Sequence, residues 1–375
     1  MSTRTTWAVQ RVPEVSGGVR LLATALSAIL ALIVAGIVLR LCGLPPLALG
    51  ARVLHASFGT RFGIEDLLLL ASPLAACGLS VAVMLRVGLW NIGAEGQFFV
   101  GATGAAAVGL FLPVGGTGTT LALMALAAAA GGALWIALPA AARLVLGTSE
   151  IITTLLLNFV ARLLVDFLAT GSWRDARSSV TAQTPRIHAA FAKLPRDWHL
   201  GGLHWGIALV IALAAVVALL FRYTSWGFEL RVCGANREAA RYAGMPVGRR
   251  LAEAMLLGGA LAGLGGMIEL AGTVHRLQGG LSNSYGYVGI IVAVLAAAAP
   301  VGVLFSALLM AVVLNAGTVL QTQGLPASAA VALVGLILLF VAMGERLSHY
   351  RIAVIRPRAT PAGTGSAAAA SGAAE

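Results

Sequence analysis

Five polar side chains interrupt otherwise apolar stretches of this sequence: Asn91, Glu95, Gln97, Asn158 and Glu269. Amides and carboxylates in such surroundings hydrogen-bond to a polar solute or to one another, and a carboxylate there can also hold a proton or a cation. They are not spaced for hydrolytic catalysis. The chain has no HExxH and no GxSxG, and its six histidines are scattered, so neither zinc chemistry nor an activated serine is indicated. Cys42, Cys77 and Cys233 lie far apart with no CxxC spacing. They offer no metal cage and no disulfide framework. Lys193 is the only lysine and precedes Leu194, whereas a Walker A phosphate loop requires Gly-Lys-Ser/Thr. Any ATP that drives this protein is therefore hydrolysed by a partner. The chain is expected not to be an enzyme and to bind no cofactor.

The elements that must position these groups are membrane helices. The 375 residues are 59% hydrophobic and 10% charged, against roughly 25% charged residues in soluble domains. So few charges cannot cover a water-facing surface, and a lipid bilayer becomes the expected surroundings. A net charge of +11 then reflects the preference of basic residues for cytoplasmic loops rather than affinity for nucleic acid. Apolar runs fall at about 21–42, 66–85, 87–112, 119–146, 150–170, 204–222, 251–273, 286–299, 301–320 and 327–344. About 20 apolar residues span a bilayer core. The first run is too long for the apolar part of a secretory signal. The run at 286–299 is short and ends at Pro300, which leaves open a tilted span, half of a broken helix or a re-entrant piece.

The expected fold is thus an all-α integral membrane protein of about ten transmembrane helices with both termini cytoplasmic. Counted that way, 15 Lys and Arg lie inside, nine outside and Arg162 within a helix. A cytoplasmic segment 1–19 precedes the permease-like domain 20–345. That domain has a cytoplasmic loop at 222–250 and an outer loop at 171–203, and a Pro/Gly/Ser/Ala-rich tail, 346–375, is expected to be disordered.

Within this frame, Asn91, Glu95 and Gln97 occupy the Gly-rich start of the third run. They could form a polar wall, or Glu95 could sit at a helix N-terminus against Arg86. Thr148 or Ser149 is expected to cap the fifth run, with Glu150 in its first turn. Asn158, two turns deeper, meets a neighbouring helix or a solute, and Arg162 and Asp166, spaced i,i+4, are expected to neutralise each other. Gly259, Gly263 and Gly266 form small-residue spacings for close helix packing. Glu269 is left to pair with Arg276 or to line a path. In the loop Asn236 to Gly244, Asn236 can cap a short helix through Glu238, Ala239, Ala240, Arg241, Tyr242 and Ala243, ended by Gly244 and Pro246. It is either a surface helix or a docking helix for a cytoplasmic partner.

Four stretches together resemble permeases of bacterial nucleoside ABC importers, within the branched-chain amino acid and simple-sugar permease superfamily. They are GLWNIGAEGQFFVGA (88–102), TSEIITTLLLNFVA (148–161), RVCGANREAARYAGMPVGR (231–249) and LAGLGGMIELAGTVHRLQGGLSNSYGYVGIIVAVLAAAAPVG (261–302). The likeness covers about residues 65–345, and the Ile-Gly-x-Glu-Gly-Gln element resembles the nucleoside branch most. Where the family often has Leu-Leu-Gly-Arg and an Asn before the proline, this chain has Leu295-Ala-Ala-Ala-Ala-Pro300.

The resemblance implies a second permease subunit, identical or related, and a cytoplasmic ABC ATPase holding ATP-Mg. It also implies an extracytoplasmic solute-binding lipoprotein and a place in the bacterial cytoplasmic membrane. Asn236–Gly244 would be the coupling helix, and Asn91, Glu95, Gln97, Asn158 and Glu269 would line the solute path. A simple-sugar or branched-chain amino acid cargo is the alternative. An ion-coupled secondary transporter using Glu95 and Glu269, or a non-transporting scaffold, are rivals of another class.

Overall fold

The computed structural model describes residues 6–11, 17–112, 115–178, 182–195, 201–348 and 350–355. The chain runs through α1 (Gly17–Leu41), α2 (Pro46–Leu54), a π turn (His55–Gly59), α3 (Arg61–Leu85), α4 (Ala94–Phe111), α5 (Thr117–Leu146) and α6 (Glu150–Thr170). It continues through α7 (Gly206–Tyr223), α8 (Ser225–Ala235), α9 (Arg237–Tyr242) and α10 (Val247–Glu269), then a π turn (Leu270–Val274), α11 (Tyr285–Leu295), α12 (Pro300–Thr322) and α13 (Ala327–Ser348). Each apolar run of the sequence is occupied by a helix. Among the described residues six helices are long and apolar enough to cross a membrane: α3, α5, α6, α7, α10 with its π turn, and α12.

Local chemistry sets the ends. The Thr60 and Thr224 hydroxyls accept from the backbone N–H groups of Gly63 and Gly227, each at 3.1 Å, and start α3 and α8. Proline opens α2 and α12, where its missing N–H costs nothing. The segment 43–59, with α2 and its π turn, lies between the expected runs and is the main addition to them. The run expected from 87 is helical only from Ala94, because residues 86–93 form a turn and an extended stretch.

α3 and α10 are the buried rods, with 83% and 67% of their spanning windows buried, against 22% for α5 and α6. α10 meets its neighbours backbone to backbone. A Cβ on Gly259 would lie 2.5 Å from the Gly132 carbonyl oxygen, one on Gly263 2.2 Å from that of Ala128, and one on Gly266 2.1 Å from that of Phe98. The three glycines therefore hold α10 against α5 and α4. At the periphery α1 and α13 pack together around a smaller cluster that includes Ala35, Leu39, Ala330 and Leu333.

The short run at 286–299 resolves into the half-helix α11. Its 11 residues extend about 16 Å at 1.5 Å per residue, half of a bilayer core. It is bounded by Ser284 (φ 62°) at one end and by Ala297 (φ 51°) and Ala298 (φ 55°) at the other. The outer loop expected at 171–203 falls within the residues 171–205 that join α6 to α7. Where described, they form a strap laid along the end of α10. Thr184, Ile187 and Phe191 donate their N–H groups to the carbonyls of Leu277 (3.1 Å), His275 (2.9 Å) and Ala271 (3.1 Å), acceptors that the π turn and the chain beyond it leave free of an α-helical ladder.

The all-α expectation has one exception outside the bundle. β1 (Thr6–Arg11) pairs antiparallel with β2 (Tyr350–Ile355), Trp7 opposite Val354, which brings the two ends of the chain to one side. Residues 346–355 of the expected tail thus belong to α13 and this ribbon except at the undescribed 349, and residues 356–375 lie outside the described residues.

Candidate functional site

Four of the five polar candidates come together where the extended stretch before α4 folds back into the bundle. Asn91 and Gln97 exchange amide hydrogen bonds of 2.8 and 2.9 Å, and Asn91 also donates to the Ser80 hydroxyl at 2.8 Å. Asn158 reaches in from α6. Its Oδ1 accepts from Gly96 N at 2.8 Å, while its Nδ2 donates to the Ile92 carbonyl at 2.8 Å and to the Tyr287 hydroxyl at 3.2 Å. The amide thus satisfies a first-turn N–H of α4 and a carbonyl of the turn before it, groups with no helical partner, which is why this non-helical entry can stand inside a helical bundle. Gly96 permits the approach, since a Cβ there would lie 2.9 Å from Asn158 Oδ1 and 3.0 Å from Trp135 Nε1.

Glu95 faces the other way. Its Oε2 accepts from Gly286 N at 2.7 Å, and it also receives the Ser282 hydroxyl and the Tyr287 N–H. A carboxylate at the first N–H groups of α11 satisfies donors that no helix can satisfy internally and meets the positive end of its dipole. Glu95 makes no contact with Arg86, whose guanidinium donates to the Ala298 carbonyl at 3.2 Å and lies 5.0 Å over the Phe221 ring. Glu269, at the junction of α10 and its π turn, takes a hydrogen bond from Thr273 and interacts electrostatically with Tyr285, as Glu95 does. The five side chains are closed off: Asn91 is 0% exposed, Gln97 1%, Asn158 3%, Glu269 5% and Glu95 7%. Every one of them is buried inside the single chain.

Three expected pairings are replaced. Arg276 does not meet Glu269 but binds Asp175 at 3.0 Å and the Thr184 carbonyl at 3.3 Å, because the strap carries Asp175 to it. The Arg177 N–H and Arg276 hold the Asp175 carboxyl below its ordinary pKa. Arg162 and Asp166 form no ion pair. Asp166 is pressed against Gly279, where a Cβ would lie 1.9 Å from its Oδ1, and the exposed Arg162 is within electrostatic reach of Glu95. Ser149 stands at the N-cap of α6 without a side-chain hydrogen bond, and Arg143 braces the approach to the helix instead. It donates to the Thr148 carbonyl at 3.2 Å and pairs with Glu150 at 3.4 Å.

Composition and spacing did not point to Trp135 or Tyr287. Trp135 Nε1 is buried beside Asn158 with no hydrogen-bond partner, and both aromatic rings remain partly exposed. The signal was available for Tyr287, which with Tyr285 is one of two tyrosines opening a run that carries no other polar side chain up to Pro300.

At the far end of α7, α9 forms as its residues dictate. The Asn236 side chain accepts from the N–H groups of Glu238 (2.9 Å) and Ala239 (3.1 Å), and Gly244 (φ 76°) follows the last turn. Ala240 turns into the core, while Glu238, Ala239, Arg241, Tyr242 and Ala243 stay exposed, Tyr242 by 96%. Arg237 holds the helix to the corner after α3, donating to the carbonyls of Val87 (3.4 Å) and Gly88 (3.5 Å).

Residues 63–342 match the family described as "Branched-chain amino acid transport system / permease component". The chain belongs to this permease family. Related proteins include the glucose ABC transporter permease protein TsgB13 of Haloferax volcanii, 34% identical over 88% of this chain and 89% of its own. The guanosine ABC transporter permease protein NupP of Bacillus subtilis is 31% identical over 76% of this chain and 82% of its own. The nucleoside ABC transporter permease protein NupB of Lactococcus lactis is 30% identical over 81% and 84%. The permease is the membrane component of an ABC transport system, a multi-pass membrane protein.

Proposed function

We propose that the permease forms the path for a nucleoside in an ABC importer and is driven by a separate ATPase that docks on α9. What carries the docking part is one observation: between two spans stands a capped helix that buries one alanine and presents Arg241 and Tyr242 outward. In this reading all ten apolar runs enter the membrane, α11 as a half-span, and both termini lie in the cytoplasm with α9. The antiparallel ribbon that joins the two ends of the chain supports a common side for them. ATP-Mg is held by the partner, a second permease of identical or related sequence completes the path, and an outer lipoprotein supplies the solute. The site is the bacterial cytoplasmic membrane.

For the solute, NupB and NupP and the Ile-Gly-x-Glu-Gly-Gln element favour a nucleoside. Asn91, Glu95, Gln97, Asn158 and Glu269 form the wall of the path. Their groups are occupied by partners within the chain, so they set its shape, and the Trp135 N–H beside them remains free to meet an acceptor on the solute. A sugar is the second reading, favoured by the 34% identity to TsgB13. Uptake of labelled guanosine and glucose into sealed vesicles carrying the complete transporter decides between them. Uptake that survives ATP depletion but collapses with an uncoupler would refute the importer reading altogether.

A further inference from the structure

The helices on either side of the docking helix, α8 and α10, are joined by a polar cluster that the solute path does not use. Arg250, in the first turn of α10, donates to Glu229 of α8 at 2.6 Å and to Glu253 of its own helix at 2.7 Å. Glu253 also receives Arg249 at 2.7 Å and the Trp226 indole N–H of α8 at 2.8 Å. Two bonds therefore cross from α8 to α10, Glu229–Arg250 and Trp226–Glu253, and the Arg250–Glu253 pair links them. Arg250 is 18% exposed, Glu229 20% and Glu253 29%, so the pairs are partly shielded from water, unlike surface ion pairs.

The cluster continues sideways. Trp226 stacks on Phe221 with ring centroids 6.3 Å apart, and Phe221 receives the Arg86 guanidinium, which in turn holds the Ala298 carbonyl in the turn between α11 and α12. On its other side α8 runs through Asn236 into α9 with no intervening linker. Gly234 is packed so closely on the corner after α3 that a Cβ would lie 2.1 Å from the Arg86 carbonyl oxygen. α8 and α9 are thus one lever. α10, fixed by its glycines to α4 and α5 and ending at Glu269, is a rod through the middle of the bundle. A force on α9 reaches the start of the rod along residues 243–246, and the two bonds that cross from α8 tie the lever to the first turns of α10 as well.

We propose that Glu229, Arg250, Glu253 and Trp226 form a clamp that transmits motion of the docked ATPase to α10. They are positioning residues and touch neither nucleotide nor solute. The clamp rests on the reading of α9 as the ATPase docking site, and the test separates the two. The complete transporter, with its ATPase, second permease and solute-binding protein, is reconstituted in liposomes. ATPase co-purification, ATP hydrolysis and solute uptake are measured for Glu229→Leu/Trp226→Phe, which removes the acceptor of Arg250 on α8 and the indole donor to Glu253.

The variant is expected to retain the ATPase and to hydrolyse ATP, while uptake per ATP falls about tenfold, within the 5–150-fold range typical of coupling between sites. Glu229→Gln, which keeps an acceptor for Arg250 and leaves Trp226 and the Arg250–Glu253 bond in place, is expected to recover at least half of the wild-type ratio. A merely structural brace would lower assembly and uptake together and leave their ratio unchanged. That outcome, or an unaltered ratio with normal assembly, overturns the clamp. Arg241→Glu is run in parallel: if it keeps its ATPase, the docking reading fails, whereas loss of the ATPase there with full coupling in the clamp variant removes the clamp alone.

Discussion

Replacing Asn158 by Leu should loosen the extended stretch before α4 while sparing the rest of the bundle. The substitution keeps the side-chain volume but removes the acceptor of Gly96 N–H and the donor to the Ile92 carbonyl, both at 2.8 Å. A buried backbone group left without a partner costs about 1–3 kcal/mol. Gly96 is buried and Ile92 half-buried, so the second loss belongs at the lower end, and the two sum to at least about 2 kcal/mol. At 1.4 kcal/mol per factor of ten, that is a roughly 30-fold rise in local opening.

Hydrogen exchange followed by mass spectrometry on the purified permease in nanodiscs reads this directly. Amides of residues 91–97 are expected to exchange roughly 30-fold faster, with those in the middle of α5 unchanged. Asn158→Asp keeps an acceptor for Gly96 N–H and loses the donor to Ile92, so it should fall between wild type and Leu. If uptake falls in Asn158→Leu while exchange at 91–97 stays at the wild-type rate, Asn158 acts on the solute alone and its assignment as a backbone substitute is refuted.

Other perturbations address the remaining elements. Glu95→Gln preserves a hydrogen-bond acceptor for Gly286 N–H but loses the charge at the start of α11, worth about 0.3–2 kcal/mol. Uptake should fall modestly, and Glu95→Leu should abolish it; equal activity of all three would remove Glu95 from the α11 N-terminus. Gly263→Val places branched carbon where the Ala128 carbonyl stands and should cost about 1–3 kcal/mol or more by overpacking, seen as loss of monodisperse protein in detergent. Ala298→Gly relieves a left-handed alanine (φ 55°) and should raise the midpoint of thermal unfolding, the strain being about 1 kcal/mol.

His204 should make the strap acid-sensitive. It is buried, stacked on Phe191 and accepts from Gly206 N–H through Nδ1, and burial together with nearby His275 pushes its pKa down to about 4. The unfolded chain takes up this proton near pH 6.5, so the neutral form stabilises the strap above that pH, and stability declines as pH falls from 6.5 toward 4. By pH 5 the loss is up to about 2 kcal/mol, and His204→Gln should flatten the pH dependence of exchange at residues 184–194.

Much of the fold could be read from the sequence because membrane helices announce themselves by composition over about 20 residues, and because Asn236 and Gly244 are strong local signals that need no tertiary partner. What escaped depended on contacts between segments distant in sequence. The spacing of Arg162 and Asp166 favours a pair on an isolated helix, yet Gly279 and the field of Glu95 lie on other segments and outweigh it. The short separation of Glu269 and Arg276 suggests a pair, and the course of the strap brings Asp175 to Arg276 instead. The polar candidates show the same limit. Their residue types marked them as special, but type alone cannot distinguish an amide that binds a solute from one that completes a broken backbone ladder. Asn158 bonds to Gly96 and Ile92, 62 and 66 residues away, and Glu95 to Gly286, 191 residues away. A polar side chain in a membrane protein that holds unladdered backbone still shapes the path, because the segment it holds sits in the interior of the bundle. If that is the role of these residues, substitutions that preserve their hydrogen bonds should preserve most of the uptake even where they change charge or size, and substitutions that break those bonds should change exchange at residues 91–97 or at α11 in proportion to the uptake they lose.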